Sequence, residues 1–99
     1  MLVHSVYFWL KPGLSDEEKS DFRKGVESLA NITSTTAVYV GTPANTEPRP
    51  VIDQSYSVGL TVLLEGMAEH DAYQEDPIHK EFLANFQTFW EKVVIYDAD

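Results

Sequence analysis

The side chains of this sequence best suited to proton chemistry are His4, His70, His79 and Tyr73. His79 follows Pro77 by two residues. Asp76-Pro77 marks a helix start, because proline disfavours helix at the residue before it and suits the first helical position itself. In a first helical turn the positive end of the dipole opposes a second positive charge, so neutral imidazole is favoured. Neutral imidazole is what a general base requires. The bland alternative is a ring that merely contacts its own helix terminus. Tyr73 lies just before the break. In an unbroken helix a six-residue separation would set Tyr73 and His79 on largely different faces, whereas the break lets both turn toward one cavity. Spacing alone gives this pair little specificity. His4 sits near the start of an apolar strand, where a satisfied strand-end histidine is the commoner outcome. His70 precedes Asp71 in a polar helical stretch and is expected to be solvated.

Other chemistries find less support. His4, His70 and His79 have no paired ligand spacing, and Asp16, Glu17 and Glu18 read as first-turn charges complementing a helix dipole, so no metal site is expected. There is no glycine-rich phosphate loop and no Gly-x-Ser-x-Gly elbow. Ser15 serves better as a cap than as a nucleophile, and Phe89-Trp90 is more often core than cofactor platform. No cofactor is expected. With no cysteine, disulfides, thiolate metal sites and cysteine nucleophiles are removed together, which fits the cytosol.

Seven basic against sixteen acidic side chains give a net charge of −9. Such a charge repels phosphate backbones and anionic lipid, and Lys11, Lys19, Arg23, Lys24, Arg49, Lys80 and Lys92 form no long basic run. Neither nucleic acid nor membrane is therefore an expected partner. Met1-Leu2-Val3-His4 lacks the basic region of a signal peptide, and the longest apolar stretch, Val58 to Leu64, is too short to span a bilayer. A cytoplasmic protein is expected.

The elements that must position these residues are legible along the chain. Its 99 residues, 43% hydrophobic and 12% aromatic, suffice for one domain with one core. Leu2 to Leu10 reads as a strand, ended by Lys11-Pro12-Gly13. Ser15 and Glu18 form a capping box, and Phe22, Val26 and Leu29 follow at helical spacing, predicting a helix from Ser15 to about Ala30. Thr33 to Val40 reads as a second strand and Ala44 to Asp53 as a long loop. Gln54 to Leu64 reads as a third strand, with Tyr56, Val58, Leu60, Val62 and Leu64 on one face. Met67 to Gln74 is a short helix, resumed from Pro77 to about Thr88 by Ile78, Phe82 and Phe86. Glu91 to Tyr96 is the last strand. The order β-α-β-β-α-β is the ferredoxin-like arrangement of the α+β class, an antiparallel four-stranded sheet with its helices on one face.

Helices on one face leave the other bare, and a monomer would make that face polar. Here it is not. In the first strand His4, Val6, Phe8 and Leu10 alternate with Val3, Ser5, Tyr7 and Trp9, so both faces carry large apolar rings. Val93 and Ile95 alternate likewise with Val94 and Tyr96. A bare patch of this size predicts a homodimer packed face to face as a two-fold barrel.

The whole chain, from Val3-His4 to Val94-Ile95-Tyr96-Asp97, resembles the stress-responsive dimeric A/B barrel (Dabb) family. The most specific part is Ala72-Tyr73-Gln74-Glu75-Asp76-Pro77-Ile78-His79-Lys80-Glu81-Phe82, similar to that family's Tyr-x-x-x-Pro-x-His-x-x-Phe helix signature. The resemblance implies a ferredoxin-like dimeric α/β barrel with a small apolar ligand pocket, in a family many of whose members have no assigned reaction. A plant branch holds cofactor-independent polyketide cyclases, which Phe89-Trp90-Glu91-Lys92 also resembles. By that likeness His79 would be the general base, Tyr73 its assistant and His4 a pocket wall. Cofactor-free monooxygenases share the barrel architecture alone, and fold does not fix function.

Overall fold

Alternation along the first strand sets the architecture. In the computed structural model, which describes residues 1–99, β1 runs from Leu2 to Leu10. Its Leu2, His4, Val6 and Phe8 are buried, while Val3, Ser5, Tyr7 and Trp9 point to the opposite face and are only half-buried. The remaining elements are α1 (Asp16–Ser28), a 3-10 turn (Leu29–Asn31), β2 (Thr35–Gly41), β3 (Val58–Leu64), α2 (Met67–Glu75), α3 (Pro77–Phe86) and β4 (Trp90–Ala98). The four strands form one antiparallel sheet in the order β2-β3-β1-β4, the ferredoxin-like arrangement expected from the sequence.

Two of the three helix starts have a local cause. Ser15 Oγ accepts from the Glu18 amide at 3.0 Å while Glu18 accepts from the Ser15 amide at 2.9 Å, completing the capping box. At the second break Asp76 Oδ1 accepts from the Ile78 amide at 2.8 Å, and Pro77 occupies the first position of α3. The core lies between the sheet and the helices. There Phe8 meets Phe22 and Trp90 with ring centroids 5.2 and 5.1 Å apart, and Val58, Leu60, Val62 and Leu64 of β3 are all buried.

The third strand is shorter than its sequence suggests. It begins at Val58, and Tyr56 leaves the core face to pack edge-on against Tyr7, with centroids 4.9 Å apart, on the uncovered side. The cause is local: the Ser57 amide donates to Phe8 O at 2.7 Å while Ser57 Oγ takes the Leu10 amide at 2.9 Å. Residues 42–57 carry no helix or strand. Part of this stretch is tied by Gln54 Nε2, which donates to Ala44 O at 2.9 Å and to Thr46 Oγ1 at 2.9 Å.

The edge position of β4 matters most for the site. Its register pairs Phe8 with Val93, Val6 with Ile95 and His4 with Asp97, so these six share the helical face. Yet Val93 and Ile95 remain 39% and 51% exposed, because the helices do not reach over this edge. Beneath them a cavity opens.

Candidate functional site

That cavity, about 250 Å³ in volume, lies between the sheet and the helix pair. Ten of its thirteen lining residues are hydrophobic, so only a few polar groups can orient what enters. His4, Tyr73 and His79 all face it, as do Phe8, Trp90 and Ile95. The helix break at Asp76-Pro77 brings Tyr73, from the last turn of α2, against His79, from the first turn of α3. Their rings meet edge to face with centroids 4.9 Å apart. His4 reaches Tyr73 from β1, again edge to face, at 5.6 Å.

Burial shapes the chemistry of these groups. His79 is 9% exposed, and its Nδ1 is buried with no hydrogen-bond partner. Desolvation holds its pKa below the ordinary imidazole value, with His4 and His70 lowering it further and Asp76 opposing them. The ring is therefore neutral at physiological pH. Tyr73 is 1% exposed, and burial pushes its phenol well above the ordinary value. It stays protonated and can only donate a hydrogen bond or accept one as a neutral hydroxyl. The pair thus offers an uncharged base beside an uncharged donor. An apolar wall is the setting in which both are effective.

His4 is a satisfied strand-end histidine, as the commoner reading has it, and also a cavity wall. It is 2% exposed, and its Nδ1 is hydrogen-bonded to Asp97 Oδ1 across the β1–β4 ladder. His70, expected in solvent, instead packs its ring edge-on to His4 with centroids 5.4 Å apart. Its Nδ1 pairs with Asp71 at 3.2 Å. The expectation of a solvated His70 fails because α2 presents that face to β1.

Three of these groups, His4, His70 and Asp97, bring donor atoms within 4.8 Å of one another. Spacing along the chain could not reveal this set, since its members come from β1, α2 and β4. The antiparallel pairing of β1 with β4 was the available signal, because it puts position 97 beside position 4. Trp90, read from the sequence as core, packs against the core and also forms cavity wall.

Comparison with known proteins agrees with this architecture. A family model described as the stress responsive A/B barrel domain matches residues 2–99. Among solved structures, an Arabidopsis thaliana protein is 24% identical with a TM-score of 0.82, covering 100% of this chain and 94% of its own. A dimeric ferredoxin-like protein of unknown function from Thermobifida fusca is 17% identical, with a TM-score of 0.78 over 98% of this chain and 88% of its own. The hydroxynitrile lyase of Passiflora edulis is 19% identical, with a TM-score of 0.79 over 98% of this chain and 90% of its own. At these identities the likeness is one of fold. A search among curated proteins gives no significant match.

Proposed function

The chain belongs to the stress-responsive A/B barrel family, and on that premise we propose that it is a self-associating barrel whose cavity takes a small, mainly apolar carbonyl compound, with His79 as general base. The observation that carries this reading is the meeting of the buried His79 ring with Tyr73 at the wall of the cavity. The volume of about 250 Å³ lies below the range for drug-sized ligands, which limits the occupant to one ring with a short tail.

The chemistry follows from the two uncharged groups. His79 takes a proton from the carbon beside the carbonyl, and the electron pair of that C–H bond becomes an enolate. Tyr73 donates a hydrogen bond to the oxygen as charge develops there, contributing about 2–4 kcal/mol at the transition state. The enolate carbon attacks a second carbonyl of the same molecule, and the resulting alkoxide recovers the proton from His79. No redox partner is needed for this aldol-type closure. The Passiflora protein, a hydroxynitrile lyase by description, shows that this fold houses lyase chemistry in at least one relative.

Self-association has its own support. The uncovered sheet face carries Tyr7, Trp9, Tyr56, Val94 and Tyr96 around one shallow depression, and Tyr39, also on that face, is 64% exposed. A second copy covering this face would bury an interface of obligate size, roughly 2,000 Å² or more. The Thermobifida relative is described as dimeric.

The reading is tested by offering linear polyketide thioesters and, separately, aryl cyanohydrins to wild type, His79→Ala and Tyr73→Phe. Turnover abolished in the first variant and slowed in the second is the expected result. Product formed equally by His79→Ala would leave the imidazole a cavity wall. A ligand held in the cavity by wild type without any turnover would instead make this a binding protein.

A further inference from the structure

Outside the Tyr73–His79 pair, the densest group of coordinating side chains lies where the ends of β1 and β4 meet α2. We propose that His4 Nδ1, His70 Nε2 and the Asp97 carboxylate bind a divalent transition-metal ion of the zinc class. The inference is independent of the role given to His79.

Hydrogen bonding sets the argument. Asp71 can only accept, so His70 donates from Nδ1 to Asp71 Oδ1 at 3.2 Å. In the neutral ring the lone pair then sits on Nε2. That nitrogen lies 3.9 Å from Asp97 Oδ2. Two electron-rich atoms this close favour a positive charge between them. Either a proton on His70 or a metal ion can supply that charge. The third donor favours the ion, because His4 Nδ1 meets the same carboxylate and one ion at that point can take all three donors.

The surroundings match a metal centre in two further respects. A ligating histidine commonly donates its other ring N–H to a carboxylate, which fixes its tautomer, and Asp71 stands in that relation to His70. The whole chain carries a charge of −9, which concentrates cations near its surface.

Donor type selects the ion. Magnesium and calcium prefer six or more oxygen ligands, whereas two imidazoles and a carboxylate suit zinc, cobalt or nickel. Around zinc, neighbouring donors sit about 3.4 Å apart, so the present spread of up to 4.8 Å must contract by about 1.4 Å. Asp97 supplies that movement: its side chain is 43% exposed near the end of an edge strand. On binding, the His4 proton shifts from Nδ1 to Nε2, freeing the Nδ1 lone pair, and the hydrogen bond to Asp97 gives way to two bonds to the ion. Three protein ligands leave a fourth position open to water.

The test is calorimetric titration of the full-length, chelator-stripped protein with zinc chloride. One zinc per chain at micromolar affinity or tighter is expected. His70→Ala and Asp97→Asn should each weaken binding ten-fold or more, Asp71→Asn by a smaller factor, and the surface variant Glu91→Gln not at all. Circular dichroism checks that each variant is folded. Should a variant fail to fold, the imidazole ¹⁵N resonances of His4 and His70 in wild type decide, since both must shift on zinc addition. No stoichiometric zinc, equal affinity in folded His70→Ala, or unmoved His4 and His70 resonances would each overturn the site.

Discussion

The rings of Tyr73 and His79 meet edge to face, centroids 4.9 Å apart, across a helix interrupted at Asp76. The interruption makes the contact possible. Asp76 has extended backbone angles, φ −63° and ψ 137°, so α3 departs in a new direction from α2. Its carboxylate caps the new helix, and Pro77 holds the first position, where its missing N–H leaves no bond unmade. One sequence feature therefore starts a helix and assembles the pair.

The burial of His79 gives the fold a specific acid sensitivity. Its folded pKa lies below the unfolded value of 6.5, chiefly through desolvation, with His4 and His70 adding to the shift and Asp76 opposing it. Between those two values the unfolded chain holds more protons, so stability rises with pH. The contribution is fully present above the unfolded value and is lost as pH falls through the folded one. Urea denaturation at about pH 7.5 and about pH 5 should show a larger midpoint loss for wild type than for His79→Gln. Equal losses would mean that His79 titrates normally.

Close helix packing makes a second prediction. A Cβ on Gly25 would clash with the edge of the Phe86 ring. Phe22, Phe82 and Phe89 pack against the Phe86 ring at centroid separations of 5.8, 5.7 and 5.1 Å, so displacing it toward the adjoining surface cleft gives up aromatic contacts. Gly25→Ala should therefore destabilise by about 1–3 kcal/mol despite the higher helix propensity of alanine. A thermal midpoint at or above wild type would show that Phe86 repacks freely.

The two faces of β1 should respond oppositely to charge. Tyr7→Glu or Trp9→Glu places a carboxylate on the uncovered face, and light scattering should report folded monomers at micromolar concentration. Phe8→Glu puts one into the core, where Phe8 is 3% exposed, and should prevent folding. Folded dimers from Trp9→Glu would place the contact between copies elsewhere.

Much of this was written locally in the sequence. The capping box at Ser15, the Asp76-Pro77 start and the alternation of β1 each act over a few residues, and each element forms where its pattern lies. What the sequence hid depends on register and on edges. Tyr56 continues the alternation of β3 on paper, but the Ser57 hydrogen bonds to β1 turn it to the other face. His70 looks solvated because its neighbours in sequence are polar, yet the ring that buries it, His4, is far away in the chain. Asp97 enters the site only because β4 pairs with β1 so that it falls opposite His4.

The central claim is that His79 removes a proton beside a carbonyl, and isotope exchange measures that step without requiring the natural substrate. Solution NMR in deuterium oxide follows the loss of α-protons from a small aryl ketone, while saturation transfer confirms that the ketone is bound. General-base catalysis contributes about 10²–10⁴-fold, so wild type should accelerate exchange and His79→Ala should exchange at least about 100-fold more slowly with binding retained. Equal exchange rates for ketone-bound wild type and His79→Ala, or no acceleration over buffer by ketone-saturated wild type, would contradict the account.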